Sequence, residues 1–203
     1  MPQKDFEVLL VNNGSTDSSE EICNNFSTAH PNFKSFTIEE KGVSFARNAG
    51  INAAKGKYLL YLDADDTVTP NTLLSVANFF DKHYDETDMV TYKIVPYKNG
   101  RRCKPHDRYN ILRKTGVYDL EKENNCYTVQ TTINVCVKNL FENNFLFNTN
   151  LAIHEDQNYN VCVLNAKKTV GFVKGPEYHY IRHNDSATGF KENAYYNFEH
   201  STS

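Results

Sequence analysis

The sequence predicts an α/β protein in which a mostly parallel, Rossmann-like sheet is flanked by helices. Roughly the first 80 residues alternate apolar, strand-like runs with amphipathic helical segments. Two of the apolar runs lead directly into polar turns, the position at which open α/β sheets bind ligands. The chain of 203 residues is 39% hydrophobic, which suffices for one domain with a sizeable core.

Each predicted element has a local signal. Apolar runs indicate strands, whereas capping residues, glycine and proline mark the turns between them. The predicted strands span residues 6–12, 33–38, 58–62, 89–97, 129–137, 169–173 and 178–182. Helices are expected to begin near residues 17, 43, 70 and 155, and a tight turn is expected at residues 98–100.

Composition limits the cellular setting and the partners. The net charge of −3 gives no overall basic field that would attract nucleic acid. No apolar run is long enough to cross a bilayer, and the first residues do not resemble a signal peptide. The five cysteines are scattered, without a CxxC pair, and are typical of reduced thiols. We therefore expect a cytoplasmic protein without a nucleic-acid partner, with peripheral contact to the inner face of the membrane left open.

The strongest local signal is the acidic stretch that follows the strand at 58–62. Asp63, Asp65 and Asp66 come together at the end of this apolar run. Three adjacent carboxylates repel one another unless a cation is present, and their hard oxygens suit Mg²⁺ or Mn²⁺. The alternative is a solvated acidic turn or a helix N-cap, since aspartate is common at both.

Three further signals have both a functional and a structural interpretation. Asn13 lies in the polar turn after the first strand and could bind a base or a ribose, or simply form the turn. Arg47 lies on the helix after Gly42 and could pair with phosphate, or be a surface arginine. Glu155 and Asp156 begin the last helix, where they could supply a general base or merely favour the helix dipole.

In their order along the chain, these signals resemble family-2 glycosyltransferases with the GT-A fold. The matching stretches are VNNGSTDSS, GVSFARNAGINAAKGKYLLYLDADD, HEDQNY and YHYIRHNDSAT, at residues 11–19, 42–66, 154–159 and 178–188. Asn13 stands where the family usually has an aspartate. The resemblance implies a catalytic domain over residues 1–190 that lacks the family's first strand, with residues 191–203 as a tail or the start of a further region.

The resemblance also implies residue roles. Asp63 would contact the ribose and Asp65 would hold the divalent ion, Mn²⁺ or Mg²⁺, against the diphosphate. Asp66 would support or share that metal site, to which His183 is a candidate additional ligand. The resemblance further implies that Asn13 and Arg47 contact the nucleotide sugar. It makes Asp156 the catalytic base, supported by Glu155.

These roles describe transfer of a sugar from a nucleoside-diphosphate sugar, with UDP favoured, to an acceptor hydroxyl with inversion. The acceptor would be a saccharide or a lipid-linked sugar in cell-surface polysaccharide or glycoconjugate synthesis. The basic segment at residues 101–113 could touch an anionic acceptor or form a solvated loop. Two alternatives stay open: a nucleotidyltransferase that forms sugar nucleotides, and a non-catalytic domain that binds them.

Overall fold

A computed structural model describes residues 1–104, 112–123 and 134–183. Three of the sequence predictions therefore fall wholly or partly outside the described residues. They are the tail at 191–203, the first half of the strand at 129–137, and the centre of the basic segment at 101–113.

Nine strands and four α-helices make up the described part of the chain. The strands are β1 Val8–Asn12, β2 Phe33–Thr37, β3 Tyr58–Leu60, β4 Thr67–Val68, β5 Met89–Lys98, β6 Arg101–Arg102, β7 Gly116–Asp119, β8 Val135–Lys138 and β9 Thr169–Arg182. The helices are α1 Ser19–Ala29, α2 Val43–Ala53, α3 Thr72–Lys82 and α4 Glu155–Lys167. Their order confirms the alternation predicted for the first half of the chain.

The strands form two sheets. β1 and β2 pair in parallel, and seven strands form a second sheet in the order β3-β8-β5-β9-β4, with β6 on β5 and β7 on β9. β5 and β9 are parallel, whereas β8 is antiparallel to both β3 and β5. The directions are thus more mixed than the mostly parallel sheet expected from the sequence. β6 is joined to β5 by a tight hairpin, a connection that only antiparallel pairs can use.

The last strand differs from its prediction because it is continuous. The sequence predicts two strands around Gly175 and Pro176, yet β9 runs unbroken from Thr169 to Arg182. Gly175 takes a positive φ of 122° there, and the register with β5 shifts between Tyr92 and Lys93. An irregularity in the pairing therefore replaces the expected break, and β9 carries the chain from the core to the acidic stretch.

The core lies where α3 and α4 cover the strands of the larger sheet. Buried side chains of α3 include Val76, Phe79 and Phe80, and those of α4 include Tyr159 and Leu164. At Gly171 of β9 an added Cβ would lie 2.5 Å from the Phe79 ring, so a larger residue would push α3 off the sheet. This packing fixes both the acidic end of β3 and the start of α4.

Candidate active site

The acidic stretch after β3 folds into a turn held at both ends. The backbone N–H of Asp66 donates to the Asp63 carbonyl at 3.1 Å. Asp66 is buried, at 6% exposure, and its Oδ1 accepts a hydrogen bond from the Ile181 N–H at 2.7 Å. Asp66 therefore joins the turn to β9, a contact that sequence reasoning does not reveal.

Tyr178 is the second link between β9 and this acidic turn. Its ring is fully buried, and its hydroxyl oxygen lies 3.3 Å from the Asp63 backbone N–H. Burial raises the pKa of the Asp66 carboxyl, as do the neighbouring carboxylates of Asp65 and Asp63, whereas hydrogen bonds from Ile181 and Tyr178 oppose the shift. The two residues thus fix the turn on the side that faces the protein.

Asp65 lies on the exposed side of the same turn. Its Oδ2 is 3.6 Å from Nε2 of His183, and both side chains are 53% exposed. A carboxylate oxygen and an imidazole nitrogen this close form a donor pair that suits a divalent ion whose other positions are filled by phosphates and water. Within the described ranges, no group of three or more His, Cys, Asp or Glu side chains could hold a metal by itself.

Arg47 connects this turn to the start of α4. Its Nη2 donates to Asp63 Oδ1 and its Nη1 to Glu155 Oε1, each at 2.9 Å, and the side chain is only 11% exposed. Burial lowers the pKa of the guanidinium, but Asp63 and Glu155 outweigh that effect and leave it raised. The structure therefore brings together Arg47, Asp63 and Glu155, three of the residues that the sequence predicts for the site.

Asp156 lies beside this ion-pair group at the first turn of α4. Its Oδ1 accepts a hydrogen bond from the Gln157 N–H at 2.7 Å. Burial raises the pKa of the Asp156 carboxyl and Glu155 adds to the effect, while the Gln157 hydrogen bond, Arg47 and His154 act against it. A carboxylate with a raised pKa is a stronger proton acceptor than a solvated one.

A group of aromatic side chains packs against Arg47 and the first half of α4. The rings of Phe147 and Tyr159 stack at 4.1 Å, and the hydroxyls of Tyr61 and Tyr159 are 2.7 Å apart. The Arg47 guanidinium lies 5.2 Å from the centre of the Phe147 ring. Asn48 holds Phe147 through two backbone hydrogen bonds of 2.8 and 2.9 Å. In the sequence, the one signal near this Asn48–Phe147 contact is the predicted motif that contains Arg47 and Asn48.

Asn13 lies in the turn between β1 and α1 and closes the loop that precedes α2. Its Oδ1 accepts from the Gly42 N–H at 2.8 Å, and its Nδ2 donates to the Glu40 carbonyl at 2.6 Å. An aspartate could make only the first of these bonds, since a carboxylate cannot donate. The amide therefore has a structural reason here, and the predicted contact with a base stays a prediction.

Comparison with known proteins identifies the family. The profile described as Glycosyl transferase family 2 matches residues 2–145, which is well over half of the chain. The chain belongs to glycosyl transferase family 2. This confirms the family predicted from the sequence.

Relatives of this family-2 domain include a protein named for teichoic acid biosynthesis and a glucosyltransferase. The minor teichoic acid biosynthesis protein GgaB of Bacillus subtilis strain 168 is 34% identical over 189 residues, which cover 93% of this chain and 21% of GgaB. The poly(ribitol-phosphate) beta-glucosyltransferase of Bacillus spizizenii W23 is 27% identical over 184 residues, 89% of this chain and 28% of the relative. The chain thus spans between a fifth and a third of these relatives.

Solved structures confirm the GT-A fold for the family-2 domain. Staphylococcus aureus TarS 1-349 in complex with UDP-GlcNAc superposes with a TM-score of 0.76 at 23% identity, over 90% of this chain and 51% of that one. GalNAc-T7 with UDP, GalNAc and Mn²⁺ gives a TM-score of 0.65 at 18% identity, over 90% and 39% of the two chains. In the described residues, no helix is both long and apolar enough to span a membrane.

Proposed function

We propose that this chain is the catalytic domain of an inverting, metal-dependent glycosyltransferase. It transfers a sugar from a nucleoside-diphosphate sugar to an acceptor hydroxyl in the synthesis of a cell-surface polysaccharide. A UDP-sugar is the first donor to test, because TarS, which has the same fold, is solved with UDP-GlcNAc. The cysteines in the described residues are free, which agrees with work in the cytoplasm; they are Cys23, Cys103, Cys136 and Cys162. Contact with the inner face of the membrane is a further part of the proposal.

One observation carries the proposal: Arg47 bonds Asp63 and Glu155 at once, both at 2.9 Å. Through this bridge the acidic turn, where a nucleotide sugar would bind, lies next to the acidic start of α4. A displacement reaction needs a donor site and a proton acceptor side by side, since positioning supplies much of the rate. Separate acidic turns at distant places would not support it.

Asp156 is the proton acceptor in this proposal. Its carboxylate removes the proton from the acceptor hydroxyl as that oxygen attacks the anomeric carbon, and the bond from this carbon to the diphosphate oxygen breaks. Its raised pKa supports this role, whereas Glu155 is held by Arg47 and serves to fix the helix start. Attack from the face opposite the leaving diphosphate inverts the configuration.

The residues present fit a divalent ion on the exposed side of the acidic turn. Asp65 and His183 would hold it, while Asp66 and Tyr178 keep the turn in place. Asp63 is bonded to Arg47, so we assign it to the donor's ribose instead. When bound, such an ion neutralises the charge that develops on a leaving diphosphate. The imidazole beside a carboxylate favours Mn²⁺ over Mg²⁺, which prefers oxygen ligands alone.

The test compares Asp156→Asn with the unchanged chain. We expect the variant to lose about 10²–10⁴-fold in the turnover of sugar transfer, the usual contribution of a positioned general base. Mn²⁺-dependent UDP binding, measured by calorimetry, should be retained. Equal turnover in the two proteins would remove Asp156 from the reaction.

Two readouts separate this proposal from its alternatives. Incubation with nucleoside triphosphate and sugar phosphate detects the release of pyrophosphate that a nucleotidyltransferase would give. Incubation with UDP-sugars and Mn²⁺ detects release of UDP, which a binding domain without activity would not give. We expect UDP and no pyrophosphate.

A further inference from the structure

Three cations stand next to one another at the ends of three neighbouring strands. Lys98 ends β5, Arg101 begins β6 and Arg182 ends β9. Lys98 lies directly opposite Arg101 and is also in register with Arg182. All three side chains are exposed. We call these three residues the basic strip.

The three like charges of the basic strip oppose the pairing of the strands that carry them. Like charges directly opposite each other across strands destabilise a sheet. Over the described parts of the chain, no ion pair joins a carboxylate to any residue of the strip. Three cations placed side by side are explained if an anion from outside the chain binds to them.

The opposite face of the same strands shows the contrast. There Glu177 accepts two hydrogen bonds from Arg102, at 2.8 and 3.0 Å, and lies 3.5 Å from Lys93. The cations on that face are thus matched by a carboxylate of the chain itself. The basic strip differs from them in being open to a ligand.

The strip shares a face of the sheet with the proposed active site. Side chains alternate along a strand, so Arg182 lies on the same side of β9 as Tyr178, whose hydroxyl contacts the acidic turn. Cross-strand partners also share a face, which adds Lys98 and Arg101 to that side. Arg182 lies four positions along β9 from Tyr178, roughly 13 Å, and directly after Ile181, whose N–H bonds Asp66 of the acidic turn.

We propose that the basic strip binds phosphodiester groups of an anionic acceptor polymer. The inference rests on the proposed function and names the acceptor class for it. Arginine and lysine recognise phosphate through charge and hydrogen bonds, and arginine does so with two bonds at once. A chain of polyol phosphates lying over the strip would extend one of its hydroxyls towards Asp156. The name of one relative, poly(ribitol-phosphate) beta-glucosyltransferase, describes a protein that acts on such a polymer.

The donor does not explain the strip equally well. Its diphosphate belongs at the acidic turn, where the Asp65 and His183 pair would hold a cation for it. Of the strip, Arg182 lies beside that turn, next to His183. Lys98 and Arg101 lie on the next two strands, roughly 5 and 10 Å further across the sheet. The strip thus extends across the sheet away from the cation of the donor, as a site for the second substrate would.

The test replaces all three cations, as Lys98→Gln, Arg101→Gln and Arg182→Gln in one chain. The control carries Lys4→Gln, Lys82→Gln and Lys174→Gln, which are exposed positions outside the strip with the same change in net charge. Initial rates are measured against synthetic poly(ribitol phosphate) and against free ribitol. We expect the strip variant alone to raise the KM for the polymer by about tenfold, and to flatten its dependence on salt concentration.

Several outcomes would overturn the inference. An unchanged KM for the polymer would do so, as would an equal rise for uncharged ribitol. Retention of the wild-type chain, but not the strip variant, by phosphatidylglycerol vesicles without any change in polymer KM would assign the strip to a membrane surface instead.

A binding measurement keeps the two proposals distinguishable. Fluorescent poly(ribitol phosphate) should shift in a native gel with the wild-type and control chains and not with the strip variant. If the wild-type chain releases no UDP from any UDP-sugar, the proposed function fails, while this shift still supports the strip. If no shift occurs and UDP is released, the strip is overturned and the enzyme assignment stands.

Discussion

Arg47 on α2 donates a 2.9 Å hydrogen bond to Glu155 on α4, across 108 positions of the sequence. The same guanidinium bonds Asp63, so one side chain fixes the distance between the two acidic parts of the site. An arginine held by two carboxylates is not free to act chiefly on phosphate. We therefore propose that its main role is to position Asp63 and the start of α4, while its predicted contact with the nucleotide stays a prediction.

We expect Arg47→Met to destabilise the fold and to lower activity together. Removing the cation leaves Glu155 and Asp63 facing each other without a partner, which costs about 2–3 kcal/mol, below the 3–5 typical of fully buried pairs because Asp63 is partly exposed. Urea denaturation measures the loss of stability, and kcat/KM with a UDP-sugar measures the loss of function.

Arg47→Lys is the matched control, because it keeps the charge but cannot bond two carboxylates in one plane. It should recover most of the stability and only part of the activity. If Arg47→Met instead raised the KM for the donor with no loss of stability, the residue would be a nucleotide contact rather than a bridge.

Much of the fold follows from local signals in the sequence. The apolar runs predict β1, β2 and β5, and periodic residues predict α2, α3 and α4, because burial on one face leaves a short-range pattern. The continuity of β9 could not be predicted, since Gly175 and Pro176 read as a break and only pairing with β5 carries the strand through them. Strand direction was likewise hidden, because it depends on neighbours distant in sequence.

The site shows the same division between local and long-range information. Asp63, Asp65 and the Glu155–Asp156 pair stand out as acidic clusters beside predicted elements. Tyr178 does not stand out, because an aromatic residue on a strand is ordinarily part of the core. Only the folded chain brings its hydroxyl to the Asp63 N–H, 115 positions away.

The pH dependence of stability should change in Asp156→Asn. The Asp156 pKa is raised above its ordinary 3.8, so the folded chain binds this proton more readily than the unfolded chain does. The stabilisation that protonated Asp156 provides is complete below the unfolded pKa and is lost as the pH rises through the folded value. The variant lacks this titrating carboxyl. As the pH rises from the unfolded to the folded pKa, the wild type should therefore lose stability relative to the variant.

Urea denaturation at a series of pH values measures that difference. A gap that stays constant with pH would contradict the burial of Asp156. The acidic limb of kcat/KM in the wild-type enzyme should also lie above 3.8, because only the ionised carboxylate can accept the proton.

Tyr178→Phe tests the link between β9 and the acidic turn. The ring stays buried, but the Asp63 N–H loses its hydroxyl acceptor, which should cost about 1 kcal/mol of stability. Donor KM should rise because Asp63 is less well fixed. Tyr92→Phe is the control: its hydroxyl is buried and has no hydrogen-bond partner among the described residues, so the change should be neutral or stabilising. Equal effects of the two substitutions would contradict this link.

Asn13→Asp would restore the residue that the family usually carries. In this chain it should reduce stability by about 1 kcal/mol, because a carboxylate cannot donate to the Glu40 carbonyl and is repelled by it. Thermal unfolding with and without UDP measures both consequences. A more stable variant would show that the amide does not hold the loop, whereas tighter UDP binding alone would support the predicted contact with the base.

Removal of the proposed metal ligands should affect only binding that depends on the ion. Asp65→Asn and His183→Gln each remove one member of the donor pair, while Asp66 and Tyr178 still hold the turn. We expect Mn²⁺-dependent affinity for UDP to fall by about a hundredfold, with the free energy of unfolding nearly unchanged because both side chains are half exposed. Asp85→Asn, an exposed aspartate after α3, is the control and should bind UDP normally. Calorimetry with and without Mn²⁺ decides the matter: affinity that survives in both variants would mean that these residues hold no ion for the nucleotide.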